Sequence, residues 1–116
     1  MKIVGNCEYA VLLYRDKLPK FNNGGKMVMN CIDWTKVTKT EKIHPTQKPV
    51  QLYKWLLRNY AHPGDKIIDT HVGSGSSIIA FIDGGFDWIG FEIDADYHAA
   101  ATKRIEQHKA QLKLQL

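Results

Sequence analysis

The residues best suited to chemistry lie in "DTHVGSGSS", Asp69 to Ser77. Asp69 ends the apolar run "KIID", and Gly73 and Gly75 flank Ser74. Glycines so placed let the backbone turn tightly and let a ligand approach without a Cβ in the way. Glu92 ends the next apolar run, 17 residues after Gly75. An acid at that place is positioned to accept hydrogen bonds from a ribose diol. Together these residues point to a cofactor with an adenosine part. A dinucleotide loop fits poorly. Its third glycine would stand where the chain has Ile78, and no phosphate-loop lysine follows. Asp69 would also repel a pyrophosphate, whereas a carboxylate tolerates a sulfonium or an ammonium group. The expected ligand is therefore S-adenosylmethionine, which carries no phosphate. A tight turn with a surface Asp and Glu stays open as the plainer alternative.

Such a loop has to be held between a strand and a helix, and the surrounding pattern supplies both. "KIIDT" (Lys66–Thr70) reads as a short buried parallel strand. A helix is expected from about Ser76 to Ile82, closed by Gly84 and Gly85. "FDWIGFEID" (Phe86–Asp94) reads as a second strand, and a helix follows from about Ala95 to the C-terminus. Its inner stripe is Tyr97, Ala101, Ile105, His108 and Leu112. An earlier helix starts near Pro49 and puts Val50, Tyr53, Leu57 and Tyr60 on one face, widened by Leu52, Trp55 and Leu56. This order is a right-handed βαβ unit of the α/β, doubly wound type, which binds ligands at the carboxyl ends of its strands. Upstream, "EYAVLLY" (Glu8–Tyr14) is expected to be a buried strand, and "MVMNCID" (Met27–Asp33) another short one.

At 116 residues the chain is long enough for one domain. It has no apolar run of about 18 residues, and its N-terminus lacks a signal peptide's apolar core. Cys7 and Cys31 have no metal-ligand spacing and read as reduced thiols of a cytoplasmic protein. No membrane contact and no metal are expected. Charge is uneven: Arg15–Lys48 holds eight basic and three acidic residues, whereas Pro49–Leu116 holds seven and eight. A basic, loop-rich segment suits a phosphate backbone, and a solvated loop kept soluble by lysines is the alternative.

"HPTQKPVQL" (His44–Leu52), then "DTHVGSGSS" and "GFEID" (Gly90–Asp94), resembles the amino-group DNA methyltransferases, in their permuted form with the cofactor half after the catalytic half. "NCEYAVLLYR" (Asn6–Arg15) also looks like the strand before the target-recognition loop in those enzymes. The resemblance covers roughly residues 6 to 108. It implies a Rossmann-like methyltransferase fold, present in part. Residues 1–43 would be a strand plus a basic candidate target-recognition region, and residues 44–116 the S-adenosylmethionine-binding βαβα region, in a single domain. It implies methyl transfer from S-adenosylmethionine to N6 of adenine or N4 of cytosine in DNA, the chemistry of restriction–modification methyltransferases. His44, Thr46 and Lys48 would lie at the methionine end of the cofactor, where Thr46 donates a hydrogen bond and Lys48 a charge to its carboxylate. Asp69, Gly73, Ser74 and Gly75 would embrace the methionine portion. Glu92 would hold the ribose and Asp94 lie near the adenine.

Two departures stand out. Thr70 and His71 occupy the positions of the family's commoner Pro-Phe, and His71 keeps the ability to stack on a ligand. The family's catalytic motif, an Asp, Asn or Ser followed by Pro-Pro and an aromatic, has no counterpart: Pro19, Pro45, Pro49 and Pro63 are nowhere adjacent. No catalytic residue is therefore assigned. The expectation is a C-terminal portion of a methyltransferase that pairs with another copy or with a chain carrying the catalytic half. A catalytically inactive remnant, or an accessory module that binds cofactor or DNA, is the alternative.

Overall fold

The computed structural model describes residues 7–18 and 20–116. Pro19 and Asn6, the first residue of the resembling strand, lie outside them. Five elements follow in the order α1 (Val50–Tyr60), β1 (Lys66–Asp69), α2 (Ser76–Asp83), β2 (Asp87–Gly90) and α3 (Ala95–Leu114). Pro49 starts α1 in an extended conformation at φ −69° and ψ 143°, the geometry its ring already prefers. Asp94 caps α3 by accepting from the backbone N–H groups of Asp96 and Tyr97.

β1 and β2 pair in parallel, Lys66 opposite Asp87 and Asp69 opposite Gly90. The pairing runs on into the loop, where Phe91 N–H donates to the Asp69 carbonyl (2.8 Å) and Val72 N–H to the Phe91 carbonyl (3.0 Å). Both strands alternate between exposed and half-buried residues. The inner residues Ile67 and Trp88 meet a core of Ile78, Ile79, Phe81 and Ile105, joined by Val50, Leu57, Val72, Ile82 and Phe86. α2 is the centre of this core: it touches α1, α3 and both strands, and its residues Ser76 to Phe81 are all buried. An ion-paired triad ties the helices together behind it. Asp83 of α2 accepts from Lys54 of α1 (2.5 Å) and His108 of α3 (2.5 Å). Burial alone would raise the Asp83 pKa; the hydrogen bonds and charges of Lys54 and His108 outweigh it and hold the carboxyl low.

The outer face of the sheet is bare, with Ile68 64%, Ile89 56% and Phe91 56% exposed. The expectation of a buried first strand is corrected accordingly: its residues alternate between exposed and half-buried. Parallel strands normally have both faces covered, so this is one half of a doubly wound arrangement.

Residues 7–49 form no helix or strand among the described residues. The expected strand "EYAVLLY" is instead an exposed, unpaired segment, with Tyr9 92%, Val11 81% and Leu13 84% exposed. Met27–Asp33 likewise forms no strand. A strand is stabilised by hydrogen bonds and side-chain packing from a neighbouring strand, and among the described residues no strand pairs with either segment. This arm touches the rest at a few places. Asn22 donates from its side chain to the Ala61 carbonyl (2.9 Å), and Phe21 meets Tyr60 edge-on at 5.1 Å. The extended arm gives a radius of gyration of 15.7 Å, against about 13 Å for a compact chain of this length. Cys7 and Cys31 are unpaired and exposed. No described helix is long and apolar enough to cross a membrane.

Candidate cofactor-binding site

The site is built where β1 and β2 end. Beyond Asp69 the chain must turn at once into α2, and two left-handed glycines make the turn, Gly73 at φ 54° and Gly75 at φ 79°. Gly75 also lies against α3: a Cβ there would stand 3.3 Å from Ile105 and 3.5 Å from Ala101. A Cβ on Gly73 would face the His44 ring at 3.6 Å. His44 therefore closes over the loop from the arm, and its other side meets Tyr97 of α3, ring centroids 4.2 Å apart.

Asp69 shapes the loop from within. One carboxylate oxygen accepts from His71 N–H at 2.9 Å, and the other accepts from the Ser77 hydroxyl in the first turn of α2. Glu92 closes the loop from the second strand. It accepts from Asp94 N–H at 3.0 Å and from Gly73 N–H, 19 residues away, at 2.8 Å. Those two backbone donors hold its carboxyl below the usual carboxylate range. The acid is fixed and ionised, with lone pairs remaining for further donors.

His44, Gly73 and Glu92 thus converge. Thr46 lies behind His44, donating its N–H to His44 Nδ1 at 3.2 Å with its hydroxyl 3.1 Å away. An Nδ1 that accepts puts the ring proton of the neutral imidazole on Nε2. Lys48 stands apart, paired with Glu8 of the arm at 2.6 Å. Thr70 and His71 are exposed and hydrogen-bonded to each other at 2.9 Å. Ser74 is buried, with its hydroxyl turned to that of Ser76 at 3.1 Å. Asp94 is engaged in capping α3.

Three contributors went unnoticed in the sequence. Gln47 is buried and ties the turn before α1, accepting from Ile43 N–H at 2.9 Å. Tyr97 backs His44. Arg104 reaches from α3 to the Ser74 carbonyl and the Ser76 hydroxyl, both at 2.9 Å. Tyr97 was already on the inner stripe, and Gln47 lies inside "HPTQKP"; Arg104 carried no signal.

The donor set can be tested against the expected ligand. Acceptors dominate the rim, with the Asp69 and Glu92 carboxyl groups beside the glycine turn. That set suits a diol and a cation and offers nothing to neutralise a pyrophosphate. Among the described residues no group of three or more His, Cys, Asp or Glu is arranged to hold a metal ion. One surface concavity, about 570 Å³, runs along β1 and α1 and reaches this site only through Asp69 and Ser77. Tyr53 lines it; burial, then the charge of Asp69, raises the Tyr53 pKa. A second, about 420 Å³, lies between α1 and the end of α2 and touches none of the site.

The profile of a family described as DNA methylase matches residues 12–103. A DNA adenine methyltransferase of Escherichia coli K12, YhdJ, is 31% identical over 84% of this chain and 34% of its own length. The type II methyltransferase M2.DpnII of Streptococcus pneumoniae is 35% identical over 80% of this chain and 36% of its own. The chain thus spans about a third of the length of these relatives. Among solved structures, that of the M1.HpyAVI-SAM complex aligns with 73% of this chain and 43% of its own, at a TM-score of 0.64 and 26% identity.

Proposed function

The chain belongs to the DNA methylase family, and from that premise we propose that it binds S-adenosylmethionine and serves methylation of the exocyclic amine of adenine (N6) or cytosine (N4) in DNA. The observation that carries the reading is the convergence of His44, Gly73 and Glu92, brought from three separate segments onto one loop. Glu92 would hold the ribose hydroxyls with a carboxylate already fixed by two backbone donors. Asp69 and Gly73 to Gly75, with Thr70 and His71, would enclose the methionine portion, and Asp69 favours a positive charge there. Thr46 and Lys48 would take the ligand's carboxylate, Lys48 by exchanging Glu8 for it. Asp94 would lie at the adenine side. When bound, S-adenosylmethionine supplies a methyl group already activated on a sulfonium. What these residues contribute is orientation, and fixing a reactant can contribute about 7–11 kcal/mol of a barrier.

The base would have to be flipped from the duplex, and the basic arm is the segment suited to the DNA backbone. Its lysines at 17, 20, 26, 36, 39 and 42 are exposed. The Pro-Pro-aromatic motif that engages the amine in this family has no counterpart among the chain's separated prolines. A second reading is a cofactor- or DNA-binding module without turnover of its own. The bare sheet face supports association with another polypeptide, either a second copy or a chain bearing the catalytic half. Light scattering that finds a stable, well-folded monomer overturns this association.

Calorimetric titration tests the cofactor: S-adenosylmethionine is expected to bind and NAD not to, and the reverse result overturns the reading. A methyl-transfer assay on duplex DNA separates the two functional readings. Turnover is expected only when a polypeptide carrying the Pro-Pro-aromatic motif is added. Turnover by this chain alone contradicts the role given to that motif, and none under either condition favours the module.

A further inference from the structure

The loop's shape depends on a side chain that neither its own sequence nor the strands supply. Arg104 donates from Nη1 to the Ser74 carbonyl and to the Ser76 hydroxyl, which flank the left-handed Gly75. The Ser74 and Ser76 hydroxyls meet each other as well, so one nitrogen staples both sides of the turn. The guanidinium is poorly placed for stability. It is half-buried, and burial lowers its pKa. Among the described residues no carboxylate lies within ion-pair distance of it. It also sits beside the first turn of α2, the end of the helix dipole that repels cations. An apolar side chain of similar length would fill the space without that electrostatic cost. The distinctive contribution of arginine is to hold two acceptors at once.

We propose that Arg104 is a positioning residue that clamps the glycine loop in the shape that receives the methyl donor, an inference resting on the donor-binding reading given above. It touches loop atoms and acts on the ligand only through them. The clamp explains why Ser74 faces inward while Gly73 and Glu92 face the site.

The test compares the full 116-residue chain with its Arg104→Met and Arg104→Lys variants by thermal melting, amide hydrogen exchange and titration with S-adenosylmethionine. Arg104→Met should melt at or above the wild-type temperature. Its Ser74–Ser77 amides should exchange about tenfold faster, and its affinity for S-adenosylmethionine should fall about tenfold. Arg104→Lys, which keeps a donor, should hold affinity within about threefold. Unchanged loop exchange in Arg104→Met overturns the clamp. So does a lower melting temperature with exchange faster in all three helices, because that marks a general packing role. Faster loop exchange in a chain that takes up no S-adenosylmethionine supports the clamp and removes the donor reading alone.

Discussion

Residues 7–49 and residues 50–116 both contain short apolar runs of high β propensity, yet only the second part makes strands of them. "KIID" and "DWIG" find each other in parallel and rest on α2. "EYAVLLY" finds no partner strand and lies open apart from the Glu8–Lys48 ion pair. The local preference of the backbone is similar in the two cases. The difference is whether a partner strand and a covering helix are within reach. The same contrast holds for charge. In residues 50–116 some charges bridge elements, as in the Lys54–Asp83–His108 triad. In the arm the lysines at 17, 20, 26, 36, 39 and 42 stand in solvent.

The sharpest way to break this contrast is to cut equally into both parts. Ile78→Ala should destabilise by about 2–5 kcal/mol, since the side chain is fully buried at the centre of the core. Leu13→Ala should stay within about 0.5 kcal/mol. Denaturant titrations of the two variants decide it, and comparable losses would mean that the arm folds against something in solution. Gly75→Ala should cost about 1–3 kcal/mol, because alanine at φ 79° is strained and its Cβ crowds Ile105. A neutral result in the same titration would place the loop outside the cooperative unit. Lys48→Ala should cost less than about 1 kcal/mol, since its ion pair with Glu8 is partly exposed; a larger loss would make the arm part of the core. The smallest effect is expected in acid. The Glu92 pKa is depressed on folding, so its contribution is present above the unfolded carboxylate value and is lost as pH falls through the folded one. Glu92→Gln should therefore flatten the acid limb of the stability profile, and an unaltered limb in acid titration by circular dichroism would show that the two backbone bonds add nothing.

The elements from Val50 onward were legible because several independent signals agree there. Pro49 sets a helix start, Gly84 and Gly85 end another, and apolar side chains recur at helical spacing between them. The placing of Glu92 beside the glycine loop was legible for a similar reason: it follows an apolar run that pairs with the strand leading into that loop. The arm was misread because strand formation depends on neighbours and a run such as "EYAVLLY" does not announce whether it has one. Arg104 was hidden for another reason. It follows Lys103 on a helix whose surface is largely charged and polar, and its partners are a carbonyl and a hydroxyl 30 and 28 residues earlier. Periodicity marks which face of a helix is apolar; it cannot mark which polar side chain reaches back.

His44 belongs by sequence to the arm, yet its ring covers Gly73 and rests on Tyr97. One side chain is thus shared between the part that is free and the part that is built. Thermodynamic linkage makes such sharing reciprocal. If a molecule seated in the glycine loop fixes that imidazole, it favours a partner on the arm by the same free energy with which that partner favours the molecule in the loop.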